Sequence, residues 1–146
     1  MGGLVIYRQR GNWDCMLASL ATALQRDYGA LWSEAFQAKV EANGGTYGDL
    51  VTQAWAELNM LKDVDYFQTP VMVKFSHPAF IRAYLDNFGP ARVLLQVPSL
   101  NDEGKAHLIF YHRGQLYDPS NRKRYETIAD LTEIQWVTVF DEKRVP

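Results

Sequence analysis

The sequence has little of what disulfide-stabilised, membrane-spanning or nucleic-acid-binding proteins require. It holds one cysteine in 146 residues, so no internal disulfide can form and the fold does not depend on an oxidising compartment. No run approaches the ~18 apolar residues of a membrane span, and the N-terminus does not have the form of a signal peptide. The net charge of −2 creates no positive field that would attract nucleic acid or anionic lipid. These absences predict a cytoplasmic protein that binds neither nucleic acid nor membranes, and they say nothing about its oligomeric state.

The sequence also lacks the patterns that hold metals and phosphates. Its three histidines and one cysteine are scattered, without the spacing of metal ligands. Gly44-Gly45 is not followed by the Lys and Ser/Thr of a phosphate-binding loop. The basic run over residues 122–124 has no aromatic residues beside it and is typical of a solvated surface. We therefore expect no metal and no cofactor.

The order of the predicted elements indicates a single α+β domain over residues 1–146. Its helical part covers about residues 12–88 and its antiparallel sheet about residues 91–140. Hydrophobic periodicity predicts helices over residues 15–24, 31–42, 46–60 and 79–88. Strands are predicted over residues 91–97, 106–111, 115–118 and 135–140, the first of them central because it is apolar on both faces. Residues 4–7 predict an edge strand or an extended arm, and residues 63–74 a short strand or extended connection.

The cysteine lies where a polar turn becomes an apolar helix, within the segment QRGNWDCMLASLATAL that begins at Gln9. Asn12 or Asp14 can cap this helix, which places Cys15 at its first turn. A helix N-terminus and a nearby imidazolium both favour the thiolate, the nucleophilic form of cysteine. The alternative is that Cys15 is one more small apolar residue on a buried helix.

A histidine and an acid are predicted to meet in the sheet. His107 lies on a strand that should be buried, and a buried histidine needs hydrogen-bond partners. If Arg113-Gly114 is a two-residue hairpin turn, His107 and Asp118 lie on one face as diagonal neighbours. A three-residue turn would shift this register by one. The pair is therefore either a base with its orienting acid or a structural ion pair in a hairpin.

Three residues near the cysteine complete the candidate site. The side-chain amide of Gln9 can stabilise an oxyanion beside Cys15, although a single glutamine is more often a surface residue. Trp13 and Asp14, directly before the cysteine, are the candidate substrate-binding residues. The acidic loop over residues 101–103 precedes His107 and would bias a neighbouring cleft towards basic substrates.

Together these motifs resemble the papain-like cysteine peptidases, and most closely the bacteriocin-processing peptidases that cut after a double glycine. The resemblance spans nearly the whole chain and rests on four short motifs in order. They are Gln9, Asp14-Cys15 opening a helix, His107 on a strand and Asp118-Pro119 after the next strand.

The resemblance implies a papain-like fold, in which the nucleophile helix packs on the C-terminal sheet, and a role for each residue. Cys15 would be the nucleophile, His107 the general base and acid, Asp118 the orienting residue and Gln9 the oxyanion donor. The sequence departs from the family at Met16, where a glycine is usual, and in a shorter interval between histidine and acid. These departures bear on the substrate rather than on the four roles.

Three hypotheses follow for the function. The first is a cysteine peptidase, a hydrolase of peptide or protein substrates. The second keeps the triad and changes the acyl acceptor, giving a deamidase, a transglutaminase-like enzyme or an acyltransferase. The third is a non-catalytic binding or inhibitor module of a bacterium or phage on the same fold.

Overall fold

The computed structural model describes residues 4–10, 15–27, 34, 38, 42, 65–74 and 77–141. The chain is α+β within this part. The predicted helices over residues 31–42 and 46–60 lie outside it, except that Glu34, Ala38 and Ala42 are helical and exposed. No helix of the described residues is long and apolar enough to cross a lipid bilayer. The elements with defined bounds are, in chain order, α1 (Cys15–Leu24), β1 (Tyr66–Lys74), α2 (Pro78–Asp86), β2 (Arg92–Pro98), β3 (Ala106–His112), β4 (Gln115–Tyr117), a 3₁₀-helix (Ile128–Asp130) and β5 (Glu133–Phe140).

Helix α1 has the bounds that the sequence predicted. Its residues include no glycine or proline, and most are alanine or leucine, which favour helix. Two hydrogen bonds fix the helix along the sheet. In its first half, Ser19 Oγ donates to Leu108 O at 3.0 Å. Near its C-terminus, Ala23 O accepts from Arg92 Nη1 at 2.7 Å. Since Ser19 lies one turn after Cys15, the cysteine begins the helix near the start of β3.

The five strands form one antiparallel sheet in the order β1-β5-β2-β3-β4. Strand β2 lies at its centre, as predicted from its apolar residues on both faces. Strand β1 is nine residues long and forms an edge, although the sequence predicted only a short strand or connection there. Its register shifts between Pro70 and Val73, and an edge position tolerates the missing N–H of proline. The part of the chain before residue 88 that was predicted as helical therefore also contributes a strand to the sheet.

The hairpin between β3 and β4 has the predicted two-residue turn. His112 pairs with Gln115, which leaves Arg113 and Gly114 as the turn. Both turn residues have positive φ, 49° and 85°, which a type I′ turn requires. The register of the whole hairpin follows from this turn.

Buried side chains form one core on each face of the sheet. The core under α1 contains Leu17, Leu20 and Leu24 with Leu94, Leu108, Phe110 and Phe140. The core under α2 and the 3₁₀-helix contains Ile81, Leu85 and Ile128 with Val93, Leu95, Ile109, Tyr111, Tyr125 and Val137. Because alternate residues of the central strands enter opposite cores, the sheet is covered on both sides.

Residues 4–10 form an extended arm rather than an edge strand. The backbone N–H and C=O of Val5 both bond to the side-chain amide of Gln25, each at 2.9 Å. The backbone N–H of Tyr7 donates to Thr22 Oγ1, also at 2.9 Å. Side chains from the end of α1 therefore hold the arm in place of a neighbouring strand.

Candidate active site

The imidazole of His107 and the carboxylate of Asp118 form a short, buried hydrogen bond. His107 Nε2 lies 2.6 Å from Asp118 Oδ1, and their side chains are 10% and 1% exposed. Continuing the hairpin register past Tyr117, the last residue of β4, places Asp118 opposite Ile109 and diagonal to His107. The contact that the register predicted is therefore present.

Backbone N–H groups hold the carboxylate of Asp118 on both oxygens. Oδ1 accepts from the N–H of Ser120 at 2.9 Å, in addition to His107. Oδ2 accepts from the N–H of Tyr125 at 2.8 Å. A buried carboxylate needs such donors, because its desolvation is otherwise costly. With both oxygens engaged, the carboxylate has a fixed orientation towards His107.

The sulfur of Cys15 lies on the other side of the same ring. Cys15 is close enough to the His107 ring for its side chain and its charge both to raise the pKa of His107. Since Nε2 is bonded to Asp118, Nδ1 is the ring nitrogen left for the thiol. Cys15 is the first residue of α1, where the helix dipole favours negative charge, and no acidic residue of the helix opposes it in the first turn. The structure thus brings together the thiol, the imidazole and the carboxylate that the sequence singled out.

The surroundings of His107 favour its protonated form. Burial lowers its pKa, since desolvation penalises the charged ring. The hydrogen bonds to Asp118 and Cys15, together with the charges of both groups, outweigh burial and raise the pKa of His107 to about 9. A ring with this pKa is an imidazolium at neutral pH, the form that pairs with a thiolate and protonates a leaving group.

This raised pKa predicts that stability falls at alkaline pH. The pKa of His107 is about 9 in the folded chain against an ordinary 6.5. Its contribution to the free energy of unfolding is therefore complete below pH 6.5 and disappears as the pH rises through 9. At about 1.4 kcal/mol per unit, the loss is roughly 3 kcal/mol. Urea unfolding of the wild type and of His107→Gln between pH 6 and 10 measures it. The variant should lack this fall, and a constant difference between the two proteins would contradict the prediction.

The arm joins the site through Arg8 and Gln9. Arg8 Nη1 donates to the backbone oxygen of Asp118 at 2.5 Å. The backbone N–H of Gln9 donates to Pro119 O at 2.9 Å, and the Gln9 side chain is buried. Gln9 is therefore not a surface glutamine, and its backbone is fixed to the segment that carries the acid.

The predicted substrate-binding residues Trp13 and Asp14 lie outside the described residues, as does the candidate cap Asn12. The acidic loop before His107 is described and is bound to the segment after Asp118. Asn101 bonds in both directions to the backbone of Lys123, each at 3.0 Å.

The charge of this loop is partly neutralised, because Asp102 Oδ2 forms an ion pair with Arg122 at 2.9 Å. Residues 101–102 therefore bind the segment that follows Asp118. The ion pair of Asp102 also weakens the predicted bias towards basic substrates.

The other two histidines are not part of this cluster. His77 caps α2, its Nδ1 accepting from the N–H of Ala79 at 3.1 Å. His112 is half-buried, and its ring stacks on Phe110. Among the described residues, no three His, Cys, Asp or Glu side chains are grouped to hold a metal ion.

Comparison of the chain with models of known protein families and with curated proteins gave no match. The site is therefore interpreted from its own geometry. The described residues place a thiol at a helix N-terminus, an imidazole beside it and a buried carboxylate that orients the imidazole.

Proposed function

We propose that the protein is a thiol-dependent acyl-transfer enzyme, specifically a cysteine peptidase acting on peptide or protein substrates. One observation carries the proposal: Cys15, at the start of α1, lies beside the ring of His107, which bonds through Nε2 to Asp118 at 2.6 Å. A structural ion pair in a hairpin has no need of the third partner. The three groups stand in the order nucleophile, base and orienting acid that acyl transfer requires.

In the proposed reaction the Cys15 thiolate attacks the substrate carbonyl and forms a carbon–sulfur bond. The carbonyl electron pair moves to oxygen, where the Gln9 amide and the N–H of Cys15 stabilise it. The His107 imidazolium then gives its proton to the leaving amine as the carbon–nitrogen bond breaks. Neutral His107 next takes a proton from the water that attacks the thioester. The carbon–sulfur bond then breaks, which releases the acid product and restores the Cys15 thiolate beside the His107 imidazolium. Asp118 keeps the ring oriented in both steps.

The fold supports a papain-like assignment within this proposal. Helix α1 begins with the nucleophile and packs on an antiparallel sheet, and the base and acid come from one hairpin of that sheet. The resemblance to double-glycine peptidases rests on the four motifs named above. A single cysteine, which needs no oxidising compartment, supports action in the cytoplasm.

Alkylation of the thiol tests the proposal without knowledge of the substrate. A free cysteine is only a few per cent thiolate at pH 7, so pairing with His107 should raise the iodoacetamide rate of Cys15 about ten-fold or more. His107→Ala should remove this excess, which mass spectrometry measures at a single site because the chain has one cysteine. His112→Ala is the matched control, since His112 lies on the same hairpin outside the cluster. A wild-type rate no greater than that of free cysteine, unchanged in His107→Ala, would favour a non-catalytic binding module.

A further inference from the structure

Tyr125 connects the acid of the site to the strand beside the base. Its backbone N–H donates to Asp118 Oδ2 at 2.8 Å, and its hydroxyl donates to the backbone oxygen of Pro98 at 2.6 Å. Pro98 ends β2, where it pairs with Ala106, the residue before His107. We propose that Tyr125 is a positioning residue that holds the Asp118 carboxylate against His107 through its hydroxyl. This inference rests on the proposed function, because it concerns the same three groups.

The contacts form a closed circuit that includes the His107–Asp118 bond. From Asp118 this circuit runs through the backbone of Tyr125, its side chain and Pro98, and it returns to His107 along the β2–β3 pairing. Asp118 itself lies beyond the end of β4, so no ladder hydrogen bonds of that strand restrain it. The Tyr125 hydroxyl is thus the side-chain contact that connects this circuit to β2, the strand that pairs with the His107 strand.

The hydroxyl is suited to this task because it remains a donor. Tyr125 is buried, and burial together with the nearby negative charges of Asp118, Glu133 and Asp130 raises the pKa of Tyr125 to about 12. It therefore keeps its proton throughout the range in which His107 titrates. Phenylalanine would fill the same space and lack only the donor.

Loss of the hydroxyl should weaken the hydrogen bond between Asp118 and the His107 imidazole. Without the bond to Pro98, residue 125 is free to move away from β2 and to carry its N–H away from Oδ2. The hydrogen bond to Asp118 is the main influence that raises the pKa of His107, so a looser carboxylate lowers that pKa. A less stable imidazolium loses its proton, and with it its effect on the neighbouring thiol, at a lower pH.

Titration of the His107 ring by NMR tests the positioning role in the full chain. The resonance is assigned by its absence from His107→Ala, and iodoacetamide rates are measured on the same samples. In Tyr125→Phe the midpoint should fall by about half a pH unit or more, and the step in the iodoacetamide rate profile that accompanies it should move by the same amount. The matched control is Tyr111→Phe, because Tyr111 belongs to the same core and its hydroxyl bonds the backbone of Gly114 at the opposite end of the sheet. This control should change neither quantity.

The effect of Tyr125→Phe in the Asp118→Asn variant distinguishes a positioning role from a general loss of stability. If Tyr125 acts through Asp118, Tyr125→Phe should have no further effect on the His107 midpoint in Asp118→Asn. Equal effects in both backgrounds, or a wild-type midpoint in Tyr125→Phe, would overturn the positioning role. A wild-type Cys15 that reacts no faster than free cysteine would instead overturn the proposed function itself, and the positioning role with it.

Discussion

Substitution of Cys15 by alanine should abolish turnover while leaving the fold intact. The substitution removes one sulfur atom, and with it the group that forms the covalent intermediate. Loss of a nucleophile that acts as a unit with its base lowers turnover by at least about 10⁴-fold. Alanine favours helix and is small, so the fold should remain, and the thermal midpoint should fall only by the part of the His107 contribution that Cys15 supplies.

The measurement is mass spectrometry of a peptide library after incubation with each protein. The wild type should produce new peptide termini and Cys15→Ala none. An increase of about one dalton without cleavage would identify a deamidase that uses the same thiol. Full activity in Cys15→Ala would show that another group attacks the substrate and would end the thiol mechanism.

Replacement of Gln9 should slow acyl transfer without slowing simple alkylation. The proposed amide donor acts only when a carbonyl oxygen becomes negative, and loss of one such donor costs about 10²–10³-fold in rate. Attack on iodoacetamide occurs at a saturated carbon and creates no oxyanion. In Gln9→Ala, release of nitrophenol from p-nitrophenyl acetate should therefore fall, while the alkylation rate of Cys15 stays close to that of the wild type.

Gln9→Glu is the matched control for side-chain size. It keeps the length of the side chain, replaces the donor by an anion, and should slow acylation at least as much as alanine does. Equal losses in acylation and alkylation would instead show that Gln9 supports the structure of the site, where its backbone bonds to Pro119. Unchanged acylation in both variants would remove Gln9 from the mechanism.

The features that the sequence predicted well are those set by local patterns. The bounds of α1 follow from a run of helix-forming residues, and the central place of β2 follows from apolar residues on both faces. The contact between His107 and Asp118 follows from one turn, because Arg113-Gly114 fixes the pairing of every residue in the hairpin. In each case, a few neighbouring residues determine the outcome.

The features that could not be predicted depend on distant parts of the chain. Strand β1 joins the sheet at its edge by pairing with β5, and its own sequence does not show this partner. The roles of Ser120 and Tyr125 towards Asp118 use backbone N–H groups, which nearly every residue possesses and which leave no mark in the sequence. The Tyr125 hydroxyl has a recognisable chemistry, but only the fold brings it to Pro98.

Cys15 and His107 are separated by most of the chain, and they meet only when α1 has packed against β3. Contacts between such distant residues form late, because a long loop must close first. A newly made or unfolded chain therefore carries a cysteine with no more reactivity than any free thiol. Because of the same separation, the rate at which Cys15 is alkylated would report on folding. Faster labelling than that of a free thiol would show that α1 has packed against β3.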